Sequence, residues 1–197
     1  MELPIFPLNG AVLYPGTSLP LNIFENRYLE MVDYSLARER LIGMIQMDNK
    51  NKLYNIGCIG KIHSFNETND GRYLISLQGI NRFNVLKKLN LSYSFKLVEA
   101  NIIENKEEEF RLNEKHKEDL LKQYDKYTKI KNINLNLQEI ANIEIDQIIK
   151  FIAMVSPFKN IDKQALLETD NLSDFYNKLR SIIELELVGE FTSKTIN

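Results

Sequence analysis

Apolar and polar positions along the 197-residue chain change their period once, near residue 104. Before that point the apolar positions come in short runs separated by turn signals, which is the signature of strands. "LIGMIQM" (41–47) is a continuous apolar run and predicts a buried strand. In "IGCIGKIHSF" (56–65) Ile56, Cys58 and Ile62 fall on one face, and Ile59, His63 and Phe65 on the other. "NETNDGRY" (66–73) carries Asp70-Gly71, the turn chemistry of a hairpin leading into "RYLISL". Further strands are expected over "INRFNVLKK" (80–88) and "SYSFKLVEANII" (92–103), with a turn near Leu89-Asn90.

The opening stretch is rich in proline and almost uncharged before Glu25. Proline cannot donate to a strand ladder, so Pro4 and Pro7 suit an edge or entry strand. "YPG" (14–16) places proline and glycine at the second and third positions of a turn, and "LPLNIF" (19–24) reads as another strand. Tyr28, Met31, Val32, Ser35 and Leu36 then recur at helical spacing, predicting a helix from about Asn26 to Ala37 that plugs one end of a β barrel.

After residue 104 the spacing is helical. Helices are expected over 106–130, with Leu120, Leu121, Tyr124 and Tyr127 as its apolar stripe, and over 143–156. A short one is expected over 162–168, capped by Asp162, and a last one over 171–191, ending near Gly189. Five or six short strands followed by helices give an α+β class: a closed or nearly closed β barrel over 1–103, then a helical bundle over 104–197.

Composition narrows what such a chain does. Net charge is −2, which offers no general attraction to nucleic acid, and no run approaches the length of a membrane span. Prolines interrupt the opening apolar stretch, so no targeting helix is expected there and a cytoplasmic location is. The single cysteine, Cys58, lies between apolar residues and reads as a buried thiol. His63 and His116 stand in different halves without the Cys, His or carboxylate clustering of a metal site, and Glu107, Glu108 and Glu109 read as a solvated helix start. No metal and no cofactor are expected. "GRY" and "NRF" join arginine to an aromatic; Tyr73 and Phe83 are expected to face the core, with Arg72 and Arg82 turned outward.

Four stretches carry a family likeness: "PIFPLNGAVLYPGTSLPLNIFENRY" (4–28), "YNIGCIGKI" (54–62), "DGRYLISLQGINRFNV" (70–85) and "SPFKNIDKQALLE" (156–168). In this order they resemble the N-terminal substrate-binding domain of Lon, the ATP-dependent protease La. The resemblance implies a PUA-like β barrel followed by a helical bundle, and a role in holding protein substrates or partners. None of the eight glycines stands in a Gly-x-x-x-x-Gly-Lys-Ser/Thr phosphate loop. The expectation is therefore a free-standing bacterial form without the ATPase and Ser–Lys peptidase engines, not an enzyme, which binds peptides, unfolded proteins or a protein partner. Such a chain would act as an adaptor or recognition module for proteolysis. A PUA-like nucleic-acid-binding module is the alternative, against which the acidic balance counts. Adaptable or aromatic side chains near strand ends and turns are the candidate peptide contacts: Met44, Met47, Tyr54, Phe65 and Tyr73. No catalytic residue is assigned, and the oligomeric state is left open.

Overall fold

The computed structural model describes residues 1–48, 50–90, 92–104, 111–140 and 142–195. They fall into two compact units. The first is Met1–Glu104 together with Phe158–Glu168, and the second comprises the described residues of 105–157 and 169–197.

The first unit is a mixed sheet. Its strands are β1 (Glu2–Pro7), β2 (Ser18–Ile23), β3 (Leu41–Ile45), β4 (Ile56–Glu67), β5 (Tyr73–Leu89) and β6 (Lys96–Ile103), paired in the order β2-β5-β4-β3-β1-β6. β6 also pairs with β5, so the succession of pairings returns to the strand near which it began. β1 runs parallel to β3, and every other pair is antiparallel. Leu3, Ile5, Ile45, Ile59, Phe83, Val98 and Ala100 form its buried centre.

The turns follow their residues. Thr17 N–H donates to Tyr14 O at 3.1 Å across Pro15-Gly16. At the β4–β5 hairpin Gly71 N–H donates to Thr68 O, and Thr68 N–H to Arg72 O, both at 2.9 Å. Gly71 takes φ +80°, the left-handed residue of the hairpin loop, where a side chain would be strained.

Helix α1 (Asn26–Leu36) buries Met31, Val32 and Ser35. Helices α2 (Glu114–Lys131), α3 (Leu137–Ile140), α4 (Ile145–Val155), α5 (Asn160–Leu167) and α6 (Leu172–Thr195) complete the chain. In the second unit α2 and α4 both pack on α6. Tyr124 hydroxyl and Ser156 Oγ lie 3.0 Å apart, and Lys131 pairs with Glu186 at 2.8 Å. No helix among the described residues is long and apolar enough to cross a membrane.

Several expectations need correction. β1 is not an edge: it lies between β3 and β6. Its prolines are accommodated because each pairs on one side only, Pro4 opposite Leu97 and Pro7 opposite Ile45. The expected strands 72–77 and 80–88 are one strand, β5, continued through Gly79 with a register shift after Val85. β6 begins at Lys96, not at Ser92. The expected start of α2 at 106, with Glu107, Glu108 and Glu109, lies outside the described residues; α2 begins at Glu114, behind a capping box in which Asn113 and His116 bond each other's backbone N–H. α5 starts at Asn160 without a side-chain cap, and α6 runs past Gly189.

Phe158–Glu168 departs most from the expected division at residue 104, because it packs with the sheet. Gln46 Nε2 donates to Asn160 O (3.2 Å) and Gln164 Oε1 (3.1 Å), and Gln164 Nε2 donates to Ile56 O (3.1 Å). Arg82, expected to point outward, is 4% exposed, with Nη1 directed at Leu167 O at the C-terminal end of α5 (3.5 Å). A cation placed there meets the negative end of the helix dipole.

Candidate functional site

No group of three or more His, Cys, Asp or Glu side chains that could hold a metal occurs among the described residues. Cys58 is buried. His63 is exposed where the β4–β5 register shifts, and His116 belongs to the α2 capping box. Exposed large apolar side chains of the first unit's strands and loops include Phe24, Phe65, Leu74, Ile80, Leu86 and Ile102.

Phe24, Phe65 and Leu74 among them lie where β4 and β5 run on past β3 to their hairpin, with β2 alongside. Register fixes which side chains share a face. Leu21 and Phe65 both pair with Ile75, and Ile23 and Glu67 both pair with Tyr73. Phe65 and Tyr73 are thus diagonal neighbours across the hairpin, and their rings meet edge to face, 4.9 Å apart at 71°. Phe65 stays 42% exposed. Leu74 (43% exposed) lies opposite Asn66 and Asn22 on the reverse face, and Phe24 (66%) follows β2 directly. Burial, and then the negative charge of the Asp33 carboxylate of α1, push the Tyr73 phenol upward from its ordinary value.

The loop at the tip is self-paired. Arg72 bonds Asp70 (Nη2 to Oδ2, 2.7 Å), and this guanidinium, with the Thr68 hydroxyl, lowers the Asp70 carboxyl to about 2. The cation beside the aromatic pair is therefore already engaged. β2 is paired only with β5 in the described sheet, yet Pro20 stands in its middle. Proline in a sheet turns its nitrogen to the open side, so a strand added on this edge would lose a rung there.

The five candidate contacts do not form one site. Met44 is 3% exposed and part of the core, because strand β3 is covered on both faces; it is withdrawn as a contact. Phe65 and Tyr73 come together at the hairpin, with Tyr73 half-buried rather than in the core. Met47 and Tyr54 lie at the other end of the sheet, where Met47 bridges Leu53 and Tyr54 N–H donates to Gln46 O; both are half-buried. With Met44 opposite Cys58, Met47 is level with about residue 55 of the β4 side. At ~3.3 Å per residue that lies roughly 30 Å from Phe65. Sequence reading missed Leu21, Phe24 and Leu74. Leu21 recurs with Leu19 and Ile23 at strand alternation and Leu74 stands between Tyr73 and Ile75, but only the register shows that Leu21 shares a face with Phe65 while Leu74 lies on the other.

The chain was also compared with known proteins. The model of the ATP-dependent protease La (LON) substrate-binding domain matches residues 2–184. The Lon protease of Buchnera aphidicola subsp. Acyrthosiphon pisum is 26% identical over 201 residues, covering 95% of this chain and 25% of the relative. That of Dictyoglomus thermophilum is 26% identical over 207 residues, covering 99% and 26%. The chain thus spans about a quarter of the length of the curated relatives it matches. Among solved structures, a Lon N-terminal domain protein from Xanthomonas campestris superposes with a TM-score of 0.68 at 22% identity, covering 92% of this chain and 98% of the other. The N-terminal domain of a Mycobacterium avium complex Lon protease gives 0.66 at 17% identity, covering 93% and 98%. These two likenesses establish the fold.

Proposed function

Starting from a chain that belongs to the ATP-dependent protease La (LON) substrate-binding domain family, we propose that it is a non-catalytic recognition module that binds exposed apolar segments of polypeptide, at the β2/β4/β5 end of its sheet. The observation that carries this reading is the Phe65–Tyr73 pair, in which a half-buried Tyr73 ring supports an exposed Phe65 ring. An exposed aromatic ring braced by a second ring is the kind of anchor a protein-binding surface uses. In the same reading the ring of strand pairings is a small PUA-like barrel and the helical unit is a bundle. The module delivers clients to proteolysis, as a recognition domain or adaptor.

The expected affinity is low. Burying about 500 Å² of apolar surface at ~25 cal/mol/Å² is worth about 12 kcal/mol gross. Association and peptide ordering remove roughly 4–15 kcal/mol, leaving a Kd in the tens of micromolar or weaker. Titrating fluorescent apolar peptides against the wild type, Phe65→Asp and Leu86→Asp tests the proposal. Leu86 is also exposed but lies beyond the hairpin on β5. Loss in Phe65→Asp with binding retained in Leu86→Asp is expected. Equal binding by all three folded proteins would refute the site.

A further inference from the structure

A second, smaller feature lies at the opposite end of the same sheet. Ile5 and Pro7 of β1, Tyr28 and Arg27 of the first turn of α1, Met47, and Ser94, Phe95 and Lys96 at the entry to β6 enclose a cleft of about 150 Å³. A cavity of about this size, apolar inside, accepts one benzene ring. Ile5, Pro7, Tyr28, Met47 and Phe95 supply its apolar lining, and ring contacts and hydrogen bonds tie the residues around it. The Tyr28 ring meets Phe6 edge to face at 4.3 Å, Met47 N–H donates to Asn9 Oδ1 at 3.0 Å, and both Ser94 N–H and its hydroxyl bond Glu30.

The charges that line it have one sign. Arg27 lies over the Tyr28 ring at 4.7 Å and pairs with Glu25 at 2.5 Å. Glu30 is held by Ser94 and does not line the cleft. Lys96 makes no ion pair among the described residues and is exposed beside Phe95. An apolar socket with a cation at its rim matches an apolar side chain that has a carboxylate next to it.

We infer that this cleft is a second peptide subsite, taking one aromatic or large aliphatic side chain of an extended segment with an adjacent Asp or Glu read by Lys96. The inference rests on the reading that the sheet unit binds polypeptide segments, and it adds selectivity for acidic neighbours. Nothing at the Phe65–Tyr73 surface supplies that selectivity, because Arg72 is bound to Asp70 there.

The probes are short Gly/Ser peptides centred on Glu-Phe-Glu, Lys-Phe-Lys or Glu-Ala-Glu. Each carries a terminal tryptophan as reporter, which is unambiguous because the chain contains none. At low salt the wild type should bind Glu-Phe-Glu roughly fivefold tighter than Lys-Phe-Lys, the scale of one exposed ion pair, and Glu-Ala-Glu more weakly than Glu-Phe-Glu. Lys96→Glu should reverse the order of the two charged peptides. Phe65→Asp should leave their ratio unchanged, and amide shifts on adding Glu-Phe-Glu should include Met47, Ser94 and Lys96. Equal affinity for both charged peptides in the wild type, or a preference that survives Lys96→Glu, overturns the subsite while leaving the hairpin reading intact. Failure of every peptide to bind the wild type overturns both.

Discussion

The phenol of Tyr14 donates to the main-chain oxygen of Lys163 at 3.1 Å, across 149 positions of sequence. Lys163 Nζ reaches back to Gly10 O at 3.3 Å, so the loop before β2 and helix α5 hold each other. Both side chains are buried, and both are perturbed by that burial: the phenol is pushed up and the ammonium down.

Tyr14→Phe should cost about 1 kcal/mol at neutral pH, the usual worth of a buried hydrogen bond. Above pH 10 the sign changes. The folded state keeps the Tyr14 proton while the unfolded chain loses it, so wild-type stability falls by about 1.4 kcal/mol per pH unit for this proton. The Tyr14→Phe protein has no phenolic proton to hold at that position, so the gap between the two proteins should close and then reverse. Denaturant midpoints from pH 7 to 11 measure this; a gap constant with pH would contradict it.

Gly79 marks where the Tyr14–Thr17 turn meets β5. Its N–H donates to Thr17 O at 2.8 Å, and its carbonyl accepts from Gly16 at 2.9 Å. A Cβ there would fall 2.2 Å from Tyr14 O, a main-chain atom that cannot yield. Gly79→Ala should therefore lose about 2–3 kcal/mol in urea unfolding. Gly71→Ala meets open space but a φ of +80°, and should lose only about 1 kcal/mol. Equal losses would show that the close approach is not what matters at Gly79.

At the hairpin tip, the Asp70 carboxyl should titrate with a midpoint of about 2 by carbon-detected NMR. Its contribution is present above the ordinary value of 3.8 and is lost as pH falls through about 2. Arg72→Ala should move the midpoint up toward 3.8, with little change in stability because the pair is exposed. An unmoved midpoint would mean that Thr68 alone sets it.

Local chemistry was legible in the sequence wherever neighbours in the chain decide it. The turn at Tyr14–Thr17, the hairpin at Gly71, the buried strand around Ile42–Ile45 and the helix from Asn26 all follow from residues within a few positions of one another. What the sequence concealed depends on distant partners. Pro4 and Pro7 look like edge residues until two different strands are found to share β1. Arg82 looks like a surface cation until α5 brings its carbonyl end to it. Gly189 looks like a helix stop, yet the helix runs on through it to Thr195. Of the candidate site, Phe65 and Tyr73 were accessible from alternation beside a turn. Met44 was misjudged because adaptability says nothing about burial.

The central claim is that unfolded polypeptide is received at the β2/β4/β5 end of the sheet, and backbone amide NMR reads this directly. A permanently unfolded, apolar-rich polypeptide added to the labelled chain should shift and broaden Leu21, Asn22, Phe24, Phe65, Tyr73 and Leu74 above all others, saturably and with little dependence on salt. Perturbation confined instead to the helical unit, around the exposed Leu185 and Val188 of α6, or no perturbation at high micromolar polypeptide, would contradict it.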